Sequence, residues 1–246
     1  MKTRSLLLNF LTRFCCRKTA PLPPLVICCG MMRSASTLQF QVVADLVSRY
    51  FGGMRLSWCD PQDLDARLAE ITEEQVPIVL KTHVVTPRLW EALDDGGAVG
   101  FFVWRDLADV VPSAMRKFGR TFSETMASVR KSTIHWERLR RHTRVLTSRY
   151  EVLMGDIAGE AARYLRHLGM TETPESGVFL RELAERYSLS RQRKRVALLE
   201  KASFDPWHLL HPGHIQSPAG WGREMSGLTR EQYREIEAID CSALEG

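Results

Sequence analysis

The chain has 246 residues, of which 44% are hydrophobic, and a formal net charge of +5. This composition is typical of a globular domain and excludes a disordered, collagen-like or disulfide-dense protein. The mild basic excess suits an anionic ligand but is too small for the charge footprint of a nucleic-acid-binding protein. Composition alone names no partner.

The first 24 residues differ from the rest of the chain. Basic residues surround the apolar stretch Leu6–Leu11, which is too short to span a bilayer. The prolines of Pro21–Pro24 interrupt any continuing helix. We expect a flexible basic arm over 1–24, and then one domain over 25–246. Weak membrane-surface contact, or acylation of Cys15 and Cys16, is the alternative for the arm.

The cysteines lack the spacing of a zinc site or a redox pair. They occur as two adjacent pairs and two single residues, and the pair Cys28-Cys29 lies in a buried apolar run. Reduced thiols of this kind are typical of a reducing compartment, so we expect a cytoplasmic protein.

Apolar strands and amphipathic helices alternate from Leu25 onward. The predicted strands are Leu25–Cys29, Pro77–Leu80, Val99–Trp104 and Val145–Val152. The predicted helices are Leu38–Tyr50, Ala108–Lys117, Ile157–Leu168, a charged segment over Val178–Lys201 and Thr229–Ile239. The alternation predicts an α/β fold with three layers, α/β/α, around a central parallel sheet of the P-loop nucleotide-binding type.

The segment Gly30–Leu38 carries the clearest chemistry. A turn between a buried strand and a helix exposes backbone N–H groups at the positive end of the helix, which favours a phosphate. Against the Walker A pattern Gly30 and Thr37 align, but Ala35 replaces the second Gly and Ser36 replaces the Lys. The Lys that clamps the terminal phosphates of ATP is therefore missing, which favours another anionic nucleotide.

This segment resembles the 5′-phosphosulfate loop of the sulfotransferases that use 3′-phosphoadenosine 5′-phosphosulfate (PAPS). Three further segments match the family in the same order: Val79–His83, Val103–Ser113 and His214–Arg223. The first is similar to the family's Lys-Thr-His segment, the second to its 3′-phosphate segment, and the third to its closing loop. Tyr150 is similar to the Tyr of the family's Tyr-Glu segment.

The resemblance implies a sulfotransferase with PAPS as co-substrate, 3′-phosphoadenosine 5′-phosphate (PAP) as product, and no metal. It implies His83 as the base, with Lys81 and Arg33 on the transferring group. The nucleotide-binding residues that it implies are Arg33, Ser34, Ala35, Ser36, Thr37, Leu38, Arg105, Ser113, Tyr150, Gly220, Trp221 and Arg223.

Several alternatives stay open at this stage. Ala35 stands where the family usually has Gly, and Arg33 stands where its cytosolic members usually have Lys, so the branch is ambiguous. A glutamate does the work of the base in carbohydrate-modifying members. Arg105 could instead pair with a neighbouring aspartate on the surface, and Tyr150 could be a strand residue in the core.

The rival functions are a P-loop kinase-like phosphotransferase and a non-catalytic PAP- or PAPS-binding protein. His208, His211 and His214 are spaced by three residues, but their loop setting argues against a metal site. The run Arg191–Arg195 is typical of a solvated helix face. Trp58, Phe118 and Trp207 could line an acceptor pocket. The acceptor, a small molecule or a glycan, is not identified by the sequence, nor is the oligomeric state.

Overall fold

A parallel β-sheet of five strands forms the centre of the protein. The computed structural model describes residues 21–56, 61–69, 76–199, 203–212, 215 and 227–239. The strands are β1 (Leu25–Gly30), β2 (Met54–Arg55), β3 (Ile78–Thr82), β4 (Ala98–Trp104) and β5 (Val145–Arg149). Their spatial order is β2-β3-β1-β4-β5, and every neighbouring pair is parallel.

Helices cover both faces of this sheet. They are α1 (Ser36–Phe51), α2 (Pro61–Ala69), α3 (Pro87–Asp94), α4 (Leu107–Phe118), α5 (Phe122–Arg141), α6 (Tyr150–Gly155), α7 (Ile157–His167), α8 (Pro174–Arg186), α9 (Leu189–Ala197) and α10 (Arg230–Glu237).

The side chains of each strand alternate between two hydrophobic cores. In β1, Leu25, Ile27 and Cys29 face the core formed with α3, α4, α5 and α10. Val26 and Cys28 face the opposite core, which is formed with α1, α7 and α8. Both faces of the sheet are therefore buried, as expected for strands joined by crossover helices. The predicted three-layer α/β/α fold is confirmed.

Two predicted elements differ from the structure. The strand predicted over Val145–Val152 ends at Arg149, where α6 begins. The single helix predicted over Val178–Lys201 is two helices, α8 and α9, separated at Tyr187 and Ser188. The long helix α5 was not predicted.

The start of the described chain packs on the domain. Leu22 is partly buried against the core of α1, α7 and α8. The carbonyl oxygen of Pro24 accepts a hydrogen bond from the Ile78 N–H at 2.8 Å. Residues 1–20 lie outside the described chain, so the basic arm stays a prediction. Among the described helices, none is both long and apolar enough to cross a membrane.

Candidate active site

Four segments with polar side chains meet at one edge of the sheet. They follow β1, β3, β4 and β5, and they contain Arg33, His83, Arg105 and Tyr150. Because the strands are parallel, their carboxyl ends lie at the same edge, which is where ligands bind in open α/β sheets. The fold thus gathers segments that are far apart in the sequence.

The loop between β1 and α1 is held tightly against the end of β4. The Met31 N–H donates to the Val103 carbonyl at 3.0 Å. The Ser34 hydroxyl is fully buried, 2.6 Å from the Met31 carbonyl oxygen and 3.0 Å from that of Val103. A Cβ atom on Gly30 would lie 2.7 Å from a methyl group of Val103, so only glycine fits there. The Ser34 side chain therefore supports the loop.

The same loop presents the amino end of α1 as an anion site. Arg33 and Ala35 have positive φ angles of 65° and 64°, and this left-handed geometry turns the chain into the helix. Ala35 is the N-cap residue and provides no side-chain acceptor for the N–H groups of Ser36, Thr37 and Leu38. These N–H groups lack intrahelical partners and favour a negative ligand, as predicted for a phosphate-binding loop.

Lys81 and His83 form a buried pair next to this loop. Lys81 is 4% exposed, and its Nζ lies 3.3 Å from Nε2 of His83. His83 Nδ1 lies 2.7 Å from the Gly30 carbonyl oxygen. A carbonyl oxygen only accepts hydrogen bonds, so Nδ1 carries the proton and Nε2 presents its lone pair toward Lys81.

Burial controls the protonation of this pair. Removal from water lowers the pKa of Lys81 to about 8. Burial, followed by the charge of Lys81, lowers the pKa of His83 to about 3. At neutral pH the structure therefore holds a neutral imidazole, with Nε2 unprotonated, beside an ammonium group.

Arg105 lies where β4 passes into α4, and it connects three parts of the site. Its guanidinium carbon is 4.1 Å from the centre of the Tyr150 ring. One nitrogen lies 3.2 Å from a carboxylate oxygen of Asp109, and another lies 3.5 Å from the Arg33 carbonyl oxygen. Among the described residues, its buried Nε has no hydrogen-bond partner. Arg105 is therefore stacked on Tyr150 and fixed in place, and its guanidinium can still donate a hydrogen bond to an anion.

The structure answers the two questions that the sequence left open for Arg105 and Tyr150. Arg105 does form the ion pair with Asp109, while Asp106 instead accepts a hydrogen bond from the Ala108 N–H and caps α4. Tyr150 is the first residue of α6 and lies under the Arg105 guanidinium, so it is not a strand residue.

Arg33 connects the loop to α4, because its Nε donates a hydrogen bond to the Ser113 hydroxyl at 3.0 Å. Burial, and then the charge of Arg105, lower the pKa of Arg33. The sequence-predicted residues Arg33, Arg105 and Ser113 thus lie close together in one cationic cluster. Sequence analysis missed two further cations, Arg116 and Lys117, which follow Ser113 by three and four residues on α4. That spacing was the signal that could have found them.

The remaining predicted residues divide into two groups. Five of the predicted residues lie outside the described ranges, so their roles stay predictions: Gly220, Trp221, Arg223, His214 and Trp58.

Within the described ranges, no group of three His, Cys, Asp or Glu residues is arranged to hold a metal ion. His208 pairs with Asp205 at 2.7 Å. Phe118 and Trp207 are 46% and 62% exposed, so neither belongs to a core.

This fold is that of the PAP-binding sulfotransferases. The chain is similar to the mouse sulfotransferase SULT7A1 solved in complex with PAP, with a TM-score of 0.63, 14% identity, and coverage of 90% of this chain and 85% of that one. It is also similar to a retinol dehydratase solved with androsterone and the inactive cofactor PAP, with a TM-score of 0.62 and 16% identity over 92% of this chain and 82% of that one.

A second structure of retinol dehydratase, with retinol and PAP, gives a TM-score of 0.61. No protein-family model and no curated protein sequence match the chain. At these identities the likeness shows a shared fold, and the function has to be argued from the site.

Proposed function

We propose that this protein is a sulfotransferase that moves a sulfuryl group from PAPS to a hydroxyl or amine of an acceptor. The observation that carries the proposal is the Lys81–His83 pair beside the phosphate-binding loop: a neutral imidazole with its Nε2 lone pair 3.3 Å from a buried ammonium group. Acceptor activation needs such a base, and departure of a phosphate needs such a cation.

The site has a suitable place for each end of the nucleotide. The uncapped amino end of α1 and Arg33 suit the 5′-phosphosulfate. Arg105 and Ser113 suit the 3′-phosphate, because the buried Arg105 Nε has no partner among the described residues and Ser113 offers a hydroxyl that Arg33 holds in place. Tyr150, already stacked on Arg105, suits the neighbouring adenine. The similar structures solved with PAP support this assignment.

In the proposed reaction, His83 Nε2 accepts the proton of the acceptor hydroxyl while the acceptor oxygen forms its bond to sulfur. The bond from sulfur to the 5′-phosphate oxygen breaks, and Arg33 and Lys81 stabilise the charge that develops on this oxygen. The negative charge of the donor also counters the Lys81 ammonium and raises the pKa of His83, which makes it a better base in the loaded enzyme. No covalent intermediate on the protein is needed.

The first test is ligand stabilisation in thermal unfolding. A ligand that binds only the native state raises its stability by mass action, so we expect PAP to raise Tm well above the effect of 5′-AMP. Mg-ATP is the third ligand, because a shift with Mg-ATP alone would point to a kinase. Stabilisation by PAP without consumption of PAPS across a broad acceptor panel would point to a non-catalytic binding protein.

A further inference from the structure

The face of α4 that contains Ser113 continues past the proposed nucleotide site. Asp109, Ser113 and Lys117 are spaced by four residues and lie on one side of the helix. Asp109 pairs with Arg105, and Ser113 pairs with Arg33. Lys117 is one helical turn further on, which is about 6 Å along the axis. It therefore lies on the far side of Ser113 from Asp109, the partner of Arg105, and close enough to Arg33 for the two charges to interact.

Contacts of Lys117 fix its position near a second segment. Its Nζ lies 3.4 Å from Nδ1 of His211. The same nitrogen of His211 is 2.9 Å from the Pro212 carbonyl oxygen. Lys117 thus connects the end of α4 to the turn over 205–212, which is closed by the bridge between Asp205 and Leu210.

Two cations at the end of α4, Arg116 and Lys117, are not among the proposed nucleotide contacts. Burial, and then the charge of Arg33, lower the pKa of Lys117. Burial, and then the charge of Arg105, lower the pKa of Arg116. The cations are thus close enough to repel one another, and a bound anion relieves that repulsion. The helix dipole explains cations at the end of α4, but it does not explain why Lys117 Nζ lies 3.4 Å from the His211 ring nitrogen.

We infer that the acceptor carries a negatively charged group, a carboxylate, sulfate or phosphate, and that Lys117 binds it beside the transferring sulfuryl group. This inference rests on the proposed sulfotransferase function. A charged lysine donates a charge-assisted hydrogen bond to such a group, whereas a neutral acceptor of the same shape leaves the ammonium without that anion. Lys117 is then the residue that sets acceptor specificity.

The test measures acceptor binding to the PAP complex by calorimetry, and sulfuryl transfer from PAPS, with acceptors that differ only in charge. The pairs are 4-hydroxyphenylacetate with 4-hydroxyphenylacetamide, and galacturonate with galactose. We expect the anionic member of at least one pair to bind and react about 10- to 100-fold better. Lys117→Met should remove this preference, so that the charged and neutral members of a pair bind and react equally well, while Lys117→Arg should restore most of it.

The matched control is Lys131→Met, which removes an exposed lysine on α5. It should keep the preference for the anionic acceptor. Thermal unfolding with PAP verifies that each variant folds and still binds the nucleotide. If Lys117→Met does not, Lys117→Gln takes its place.

The outcomes separate this inference from the proposed function. If PAP fails to bind the wild-type protein, both are wrong. If PAP binds but the charged and neutral acceptors bind equally well, or neither binds, the inference is wrong while the nucleotide site stands. Loss of the preference in Lys131→Met as well as Lys117→Met would also overturn the role of Lys117.

Discussion

His83 owes its protonation state to two neighbours on opposite sides of the ring. The Gly30 carbonyl accepts from Nδ1, and the Lys81 ammonium lies 3.3 Å from Nε2. The backbone carbonyl of Gly30 sets which nitrogen carries the proton, and the charge of Lys81 sets how strongly the ring holds a second one. Lys81 belongs to β3 and Gly30 is the last residue of β1. The pairing of these two strands therefore determines the tautomer of His83.

Replacement of His83 by Asn separates chemistry from binding. The Asn amide can still donate to the Gly30 carbonyl, but neither of its polar atoms is basic enough to take a proton near neutral pH. We expect His83→Asn to lower the rate of sulfuryl transfer by about 10²- to 10⁴-fold, the range for a general base. PAP should still raise Tm in this variant, because the phosphate contacts are elsewhere.

Steady-state transfer of labelled sulfate from PAPS measures this effect. His135→Asn, at an exposed position on α5, is the matched control and should retain full activity. Full activity in His83→Asn would exclude His83 as the base and direct attention to a carboxylate.

Sequence analysis located many of these residues but not their arrangement. Arg105, Ser113, Lys81 and His83 were found because their segments resemble the sulfotransferase motifs, and the parallel sheet brings the ends of its strands to one edge. The stack of Arg105 on Tyr150 was not predicted, since it depends on β5 ending at Arg149. The charge cluster that includes Lys117 emerges only once helix and loop are placed together.

At the scale of elements, α5 shows why a long helix can be missed. Its buried residues Met126 and Val129 are followed one turn later by Ser132 and Thr133, not by apolar side chains. The hydroxyls of Ser132 and Thr133 donate to the carbonyl oxygens of Ser128 and Val129, which satisfies them within the helix. The apolar stripe is therefore broken in the middle, and hydrophobic periodicity alone gives no clear signal.

The end of β5 was misplaced for a different reason. The stretch after Arg149 is short and apolar, and such a run cannot be assigned to strand or helix from its pattern. In the structure only Leu153 of this stretch is buried, as the inner side of the short helix α6. Similarly, the boundary between α8 and α9 is marked by Ser188, a residue type common at the N-cap.

The loop before α1 contains a strained residue that can be tested by stability. Ala35 has a φ of 64°, where a Cβ atom is unfavourable and glycine is not. We expect Ala35→Gly to raise the free energy of unfolding by about 0.5 kcal/mol, since relief of strain exceeds the lost packing of one methyl group. Urea denaturation measures this change.

The control for this prediction is Ala127→Gly, in the exposed part of α5. There the same substitution meets ordinary helical geometry and should lower the free energy of unfolding by about 1 kcal/mol. Equal destabilisation at the two positions would contradict the strain at Ala35.

For the molecule as a whole, the buried and closely spaced cations of the candidate site lower the stability of the folded state. The sheet buries Lys81 and His83 at its edge, and it keeps several cations close together on α4 and in the loop before α1. Desolvation and mutual repulsion both oppose folding, and they are relieved only when an anion binds. Binding of the nucleotide should therefore stabilise this protein more strongly than contact area alone suggests.

The same burial predicts sensitivity to acid. The pKa of His83 is lowered to about 3 in the folded protein, while the unfolded chain has the ordinary value of 6.5. Between these values the unfolded state binds more protons, so stability rises with pH and is lost as the pH falls below 6.5. Burial also lowers the pKa of His167 and of His208, which adds to the effect in the same direction.

From pH 6.5 to pH 5 we expect His83 alone to account for a loss of about 1–2 kcal/mol in the free energy of unfolding. His83→Asn should show a shallower decline over this range in urea denaturation, whatever its stability at neutral pH. His135→Asn, which removes an exposed imidazole on α5, is the matched control. Parallel curves for wild type and His83→Asn would mean that the folded protein lets His83 protonate freely, and the neutral base inferred from its two contacts would be wrong.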